Sequence, residues 1–243
     1  MLLPDRINKL IGRAMHDYAM LADGDKVLVA VSGGIDSLLL VHVLAAWLKK
    51  APLTYTLFPV HVDMAGSAEN PSSYVHTLKQ ILRHIGLNLQ VFHVPAGAKM
   101  QEDGCFSCAR ARRSVLFAAA KEQGCNKLAL GHHMDDIIET FLLNLTCAGN
   151  ISTMRPSQSL FDGRLTVIRP FAYIEKKDIE ELAHQQMLFA LATCCAQDGK
   201  SMRAAAKRLA ADIYVRIPGA KKSIFAALGN VRRDYLLNAT TGI

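Results

Sequence analysis

A short apolar run that ends in a glycine turn constrains the fold of this chain more than any other feature. The run Lys26-Val27-Leu28-Val29-Ala30-Val31 is typical of a strand that is covered on both faces of a parallel sheet. The turn Ser32-Gly33-Gly34-Ile35-Asp36-Ser37 follows directly, and a predicted helix continues from it to Lys50. Glycines let the backbone approach an anion closely, and the N-terminus of a helix attracts it. The sequence therefore predicts a phosphate loop within an α/β domain.

Strands and helices alternate along most of the 243 residues, which predicts a parallel sheet joined by right-handed crossovers. The four further predicted strands are Thr54–Val62, Leu89–Val94, Lys127–Gly131 and Leu165–Arg169. We expect a five-stranded, parallel, Rossmann-like sheet with helices on both faces and a helical C-terminal part. Residues 149–164 are rich in glycine, serine and proline, and we expect them to form an irregular connection.

The predicted organisation has three parts. A helix occupies residues 1–22, the α/β domain with its Cys-x-x-Cys insertion occupies residues 23–174, and a basic helical part occupies residues 175–243. From residue 198 onward, nine lysines and arginines stand against three acids, a net +6, which fits a polyanionic partner. No apolar run reaches the roughly 18 residues that span a bilayer, and a secretory signal pattern is missing. We expect a cytoplasmic protein that makes no contact with membranes.

Four of the six cysteines form a candidate site. Cys105 and Cys108 are three positions apart, a spacing that lets two thiolates bind one metal centre. Cys194 and Cys195 are adjacent, and adjacent residues of an extended chain point in opposite directions, so we expect one of them to join the pair. Taken alone, the spacing leaves zinc, an iron–sulfur cluster and a redox dithiol open.

The turn SGGxDS after the first strand resembles the signature of the PP-loop ATP pyrophosphatases. Members of that family split ATP between its α and β phosphates and adenylate an oxygen of their substrate. The resemblance implies that the pyrophosphate end of ATP is held by Ser32, Gly33, Gly34, Asp36 and Ser37. Many members carry a lysine where this chain has Ile35. Lys26, Arg112 and Mg²⁺ are the candidates for the positive charge that the loop lacks.

Three further stretches, at residues 104–113, 128–137 and 167–173 with 177–179, are similar to the tRNA 2-thiocytidine synthetases and occur in the same order. The resemblance implies synthesis of 2-thiocytidine in the tRNA anticodon loop with ATP, Mg²⁺ and a [4Fe–4S] cluster held by three cysteines. Carried over, Cys105 and Cys108 are two of the ligands. The family places two cysteines with two residues between them near Cys194-Cys195. Alignment of the following helix favours Cys195 as the third ligand, with Cys194 as the alternative.

Polar residues at the ends of predicted strands supply the other candidates, because ligands of open α/β sheets bind there. Asp135 is expected to bind Mg²⁺ or to manage a proton at the base being activated, with helix capping as the alternative. His132 is expected to contact phosphate or the adenylated intermediate. His61 and Asp63 are expected to line the adenosine pocket, with a simple structural role at the strand end as the alternative. The residues expected to hold tRNA are Arg110, Arg112, Arg113, Lys207 and Arg208.

These inferences together predict an ATP-dependent tRNA thiolase that adenylates O2 of an anticodon-loop cytidine and replaces the oxygen with sulfur. Two alternatives stay open: a PP-loop enzyme that thiolates or amidates another substrate, and a nucleotide-binding regulator with a zinc or redox site. The sequence does not identify the sulfur donor, for which a cysteine desulfurase and free sulfide are the candidates. It also leaves a homodimer open.

Overall fold

A computed structural model of the chain describes residues 3–64, 66–94, 105–191 and 201–237, without the side chains of residues 105 and 106. In chain order the elements are α1 (Asp5–Asp17), β1 (Asp25–Ala30), α2 (Ile35–Trp47), β2 (Tyr55–Asp63), α3 (Tyr74–His84), β3 (Gln90–His93), α4 (Cys105–Glu122), β4 (Lys127–Ala129), α5 (Met134–Cys147), β5 (Ser157–Leu160), β6 (Leu165–Ile168), α6 (Lys176–Gln185), α7 (Met202–Arg216) and α8 (Ala220–Ala227). A short 3₁₀ turn, Arg233–Tyr235, follows α8.

The strands form one sheet in the order β3-β2-β1-β4-β6-β5. The five strands predicted from the sequence are all present and mutually parallel, so the Rossmann-like class is confirmed. The predicted strand count of five is corrected to six, because β5 pairs antiparallel with β6 at the edge of the sheet. This sixth strand lies inside the stretch for which an irregular connection was expected.

The turn between β5 and β6 explains why a strand forms there. Phe161, Asp162 and Gly163 have φ values of 53°, 56° and 87°, and the Arg164 N–H donates to the Phe161 carbonyl at 3.2 Å. Positive φ values reverse the chain in the sense that suits twisted strands. Asp162-Gly163 is a known hairpin signal, whereas the serines and the single proline before it resemble those of a loop.

Alternation along β1 divides the core into two layers. Val27 and Val29 pack on one face of the sheet, and Leu28 packs on the other. The first face is covered by α1, α2, α3 and α6, which contribute buried side chains such as Ile11, Leu40, Leu78 and Ile179. The second face is covered by α4, through Leu116 and Ala119. The expectation of helices on both faces is therefore confirmed.

The chain divides into two compact units. One contains residues 1–135 and 155–201, and therefore the whole sheet, and the other contains residues 136–154 and 202–243. Each unit consists of two separate stretches of sequence. The predicted domain boundaries after residues 22 and 174 divide the chain into consecutive parts instead, and they stay a prediction. Across the four described ranges, no helix is both long enough and apolar enough to cross a bilayer.

Candidate active site

The loop after β1 is held in shape by its own two serines. Gly33 has φ of 90°, a conformation that glycine adopts without strain. The Ser37 hydroxyl accepts a hydrogen bond from the Ser32 N–H at 3.0 Å and donates to the Gly34 carbonyl at 2.9 Å. The Ser32 hydroxyl lies 3.1 Å from that of Ser37 and accepts from the Gly34 N–H at 3.3 Å. These bonds close the loop before any ligand binds.

Gly34 stands at the start of α2 and offers no side chain to cap it. The N–H groups of a first helical turn have no partner inside the helix and bind anions readily. Among the described residues, a Cβ atom built on Gly34 would meet only the Ser32 hydroxyl, at an ordinary distance of 3.5 Å. The described part of the chain therefore has room for alanine at this position, and the absent side chain leaves space there for a group that approaches the loop.

Gly131, after β4, packs directly against the same loop. A Cβ atom on Gly131 would lie 2.9 Å from the backbone carbon of Asp36, 3.0 Å from its oxygen and 3.1 Å from the Ser37 nitrogen. All three contacts are with backbone, which cannot rotate away. The close approach of β4 to the phosphate loop therefore depends on glycine at position 131.

Two carboxylates join the phosphate loop to the N-terminus of α6. Asp135 accepts a hydrogen bond from the Lys176 backbone N–H at 2.8 Å, and Asp36 accepts one from the Lys176 ammonium at 2.5 Å. Asp135 also lies 3.8 Å from Nδ1 of His133. Asp135 thus caps the N-terminus of α6, at a residue 41 positions later in the chain. The expected alternative was capping of the first turn of its own helix.

The end of β2 supports the loop from the other side. His61 is buried, and its Nδ1 lies 2.7 Å from the Val31 carbonyl, the last before the loop. Burial is the main cause that lowers the pKa of His61, with a smaller contribution from the charge of Arg112. Nε2 of His61 has no hydrogen-bond partner among the residues that the structure describes. The ring is therefore neutral and fixes the two strand ends relative to each other.

Asp63 is fully buried and serves the loop that follows β2. Its carboxylate accepts hydrogen bonds from the Ser72 N–H at 2.7 Å, the Ser72 hydroxyl at 2.6 Å and the Gly66 N–H at 2.9 Å. A Cβ atom on Gly66 would lie 2.3 Å from this carboxylate. Contact between Asp63 and adenosine stays a prediction, and the bonds described here give the carboxylate a part in holding the loop.

His132 is oriented by a buried arginine. The Arg169 Nε–H donates to His132 Nδ1 at 3.2 Å, and another guanidinium nitrogen of Arg169 donates to the Arg155 carbonyl at 2.5 Å. Because Nδ1 accepts, the proton of the neutral imidazole is on Nε2. His132 therefore presents an N–H donor at the strand end where its contact with phosphate is predicted.

The described part of the cysteine site is also close to this end of the sheet. Cys108 lies in the first turn of α4, half-buried and free, and Arg112 lies one helical turn later. The charge of Arg112 makes a small contribution that lowers the pKa values of His61 on β2 and Tyr74 on α3, so Arg112 lies within electrostatic range of both. The side chain of Cys105, and Cys194 and Cys195 altogether, lie outside the described residues.

One backbone bond connects the phosphate loop to the stretch that leads to the paired cysteines. The Leu191 N–H donates to the Gly33 carbonyl at 3.0 Å. Leu191 is the last described residue before Cys194 and Cys195, which follow three and four positions later. The stretch that contains the predicted third ligand therefore begins at the phosphate loop.

The remaining predicted residues are distributed over both units. Arg110 and Arg113 are exposed on α4, in the unit that contains the sheet, and Lys207 and Arg208 are exposed on α7, in the other unit. Lys26 lies at the amino end of β1, and its ammonium lies near Gly124 rather than near the loop. Within the described ranges, no three side chains of histidine, cysteine, aspartate or glutamate are grouped closely enough to hold a metal ion.

Sequence reasoning missed four residues that the structure brings to this site. They are Gly131, Arg169, Lys176 and Leu191. Gly131 and Arg169 are the last residues of two predicted strands, a position that itself indicates a ligand site in an open α/β sheet. Lys176 and Leu191 carried no such signal, because only the tertiary fold brings them to the loop.

Comparison with known proteins places this geometry in a family. The family model of the PP-loop domain matches residues 5–192. The tRNA-cytidine(32) 2-sulfurtransferase of Syntrophotalea carbinolica is 37% identical over 243 residues, which cover 97% of this chain and 92% of that protein. The protein of the same name from Geotalea uraniireducens is 37% identical over 244 residues, with coverage of 96% and 94%.

Among solved structures, the fold is similar to the U34-tRNA thiolase NcsA from Methanococcus maripaludis, which was determined with its [4Fe–4S] cluster. The TM-score is 0.74 at 19% identity, and the match covers 95% of this chain and 80% of that one. At this level of identity, the similarity establishes a shared fold.

Proposed function

Because the chain belongs to the PP-loop family and, within it, to the tRNA-cytidine(32) 2-sulfurtransferases, we propose that it is an ATP-dependent tRNA thiolase. ATP transfers its adenylyl group to O2 of a cytidine in the anticodon loop, and pyrophosphate leaves. Sulfur then attacks C2, the C2–O2 bond breaks, and AMP leaves with the oxygen. The adenylyl group thus converts a poor leaving group into a good one.

The observation that carries this proposal is the bond between Leu191 and Gly33. It connects the loop with the geometry of a phosphate site to the stretch that leads to Cys194 and Cys195. An enzyme that activates an oxygen with a nucleotide and then delivers sulfur to the same carbon needs both sites together. Holding both reactants in one place provides much of the rate enhancement of such a reaction.

Ser32 to Ser37 hold the pyrophosphate end of ATP. The preformed loop, the open first turn of α2 and the space beside Gly34 suit a phosphate group that contacts backbone N–H donors. Mg²⁺ enters with ATP, because it is usually bound through one or two carboxylates together with substrate phosphates. Asp36 and Asp135 are the nearby carboxylates that fit this role.

His132 and Asp135 act at the reacting end of the nucleotide. Arg169 leaves the proton of His132 on Nε2, where the N–H stabilises the negative charge that develops on the α-phosphate. Asp135 manages a proton at the cytidine or contributes to the Mg²⁺ site, while its bond to the Lys176 N–H fixes its orientation. His61 and Asp63 support the adenosine pocket.

The proposed ligands of the [4Fe–4S] cluster are Cys105, Cys108 and Cys195, with Cys194 as the alternative third ligand. Cys108 is the one of these whose side chain the structure describes, and it is a half-buried free thiol with a cationic neighbour in Arg112. Thiolates are the ligands that iron–sulfur clusters prefer, so this part of the donor set fits the group. When bound, the cluster would supply the place where sulfur from a desulfurase or sulfide is held.

Positive charge on two helices is proposed to attract the tRNA. Arg110, Arg112 and Arg113 act from α4, and Lys207 and Arg208 act from α7. Phosphate contacts of this kind attract any RNA, and the target base is then splayed out of its stack into the site. The protein acts on tRNA in the cytoplasm.

The proposed function is tested in a bacterial strain that lacks 2-thiocytidine. Expression of the full chain is expected to restore this nucleoside in bulk tRNA, as measured by liquid chromatography and mass spectrometry, and anaerobically purified protein is expected to contain iron and sulfide. Unchanged tRNA would contradict the proposed substrate. A colourless protein that contains one zinc ion would contradict the cluster.

Alanine at Gly34 is expected to separate phosphate binding from folding. Within the residues that the structure describes, the new methyl group meets only the Ser32 hydroxyl, so the free energy of unfolding should change by less than about 1 kcal/mol. The same methyl group occupies space that a phosphate needs, and the affinity for ATP should fall at least about tenfold. Isothermal titration calorimetry and thermal denaturation measure the two effects. A G34A variant that binds ATP as well as the wild type does would show that the phosphate lies elsewhere.

A further inference from the structure

We propose that Lys176 is a ligand of the pyrophosphate end of ATP and supplies the positive charge that the phosphate loop itself lacks. This inference rests on the proposed function and adds to it a binding residue from outside the PP-loop motif. Between Ser32 and Ser37 the loop contains no cationic side chain, and its one charged residue, Asp36, is an acid. A triphosphate bound there needs a cation from another part of the chain or from Mg²⁺.

The ammonium group of Lys176 is already at the loop. It lies 2.5 Å from Asp36, and the side chains of Lys176 and Asp36 are 30% and 32% exposed. An ammonium group has three N–H donors, and the bond to Asp36 uses one of them. A half-buried ammonium that reaches solvent at the mouth of the loop can therefore bind Asp36 and a phosphate oxygen at the same time.

The backbone of Lys176 is fixed as firmly as its side chain. Its N–H donates to Asp135 at 2.8 Å, and α6 packs against α2, the helix that starts from the phosphate loop. Two bonds from one residue therefore connect α6 to the carboxylates that follow β1 and β4. A long lysine side chain that is held at both ends loses little further conformational entropy when a phosphate binds.

The other cations considered for this role are less well placed. Lys26 lies at the opposite end of β1, with its ammonium near Gly124. Arg112 lies on α4 and acts on His61 and Tyr74. At the position where many PP-loop proteins carry lysine, Ile35 packs against the core. Of these cations, Lys176 is the one with a described hydrogen bond to a residue of the loop.

The test compares binding of inorganic pyrophosphate, ATP and adenosine to full-length wild-type protein and to the K176M variant, by isothermal titration calorimetry. Loss of one charge-assisted contact is expected to lower the affinity for pyrophosphate and for ATP by about 10- to 100-fold. The affinity for adenosine is expected to stay unchanged. K176R keeps the charge and is expected to stay within about threefold of the wild type. K177M is the matched control, because Lys177 is 72% exposed and pairs with Glu175 instead.

Melting temperatures within about 3 °C of the wild type are the sign that each variant is folded. Equal affinity of K176M and wild type for pyrophosphate would overturn the inference and leave the proposed function intact, whereas wild-type protein that binds no ATP would contradict the proposed function itself. If K176M lost as much affinity for adenosine as for pyrophosphate, Lys176 would only support the fold. The D36N/K176M variant tests whether Lys176 contacts phosphate directly or only neutralises the charge of Asp36. If this variant bound pyrophosphate with wild-type affinity, Lys176 would only neutralise Asp36, and the direct contact would be overturned.

Discussion

Alanine in place of Gly131 is expected to abolish ATP binding and tRNA thiolation, although the substitution adds a single methyl group. That methyl would lie 2.9 to 3.1 Å from backbone atoms of Asp36 and Ser37, and backbone cannot move aside as a flexible side chain does. Either β4 moves away from the loop or the loop opens. We expect the free energy of unfolding to fall by about 1–3 kcal/mol, which is typical of overpacking.

Gly229→Ala is the matched control for this substitution. Gly229 does not have positive φ, and the nearest described atom to a Cβ there is the Ala226 carbonyl oxygen at 3.8 Å. Titration with ATP, urea denaturation and analysis of tRNA nucleosides should separate the two variants clearly. If G131A bound ATP normally, the contact between β4 and the phosphate loop would have no part in nucleotide binding.

Serine in place of Cys108 is expected to remove the iron–sulfur absorbance of the protein and to reduce 2-thiocytidine to the level of the untransformed strain. A hydroxyl group is a much poorer ligand than a thiolate for iron in a cluster. ATP binding should not change, because Cys108 makes no described contact with the phosphate loop. The variant therefore separates sulfur delivery from nucleotide binding.

Cys147→Ser is the appropriate comparison for C108S. Cys147 is exposed and lies at the end of α5, so its replacement should leave iron content, ATP affinity and thiolation unchanged. Metal analysis of anaerobically purified protein and tRNA nucleoside analysis are the measurements. Full iron content in C108S would remove this residue from the ligand set.

Local signals in the sequence were sufficient to predict the elements whose structure depends on neighbouring residues. The run from Lys26 to Val31 and the glycine turn after it predicted β1, the phosphate loop and α2, because all three depend on neighbouring residues. The strand Ser157–Leu160 was wrongly expected to be irregular. Its serines and glutamine carry no strong preference for a strand, and it forms because β6 offers an open edge.

In the candidate site, too, the residues that belong to a local motif could be predicted, and the partners from distant parts of the chain could not. Residues within motifs, such as Ser37 and His132, could be proposed from the sequence because their motif is local. Lys176 lies 140 positions from its partner Asp36, and no spacing rule connects two residues so far apart in the chain. Arg169 escaped notice as a positioning residue for the same reason, since its bond to His132 spans 37 positions.

The bond from Leu191 to Gly33 also bears on how long a reactive species has to survive. An adenylated cytidine is open to attack by water from the moment it forms, and every step of travel toward a separate sulfur site would add to its loss. Because Cys194 and Cys195 follow Leu191 within four residues of the chain, the proposed reaction needs no transfer of the activated tRNA between distant sites. Under that proposal, the yield of thiolated tRNA per ATP spent depends on how soon sulfur reaches the activated base.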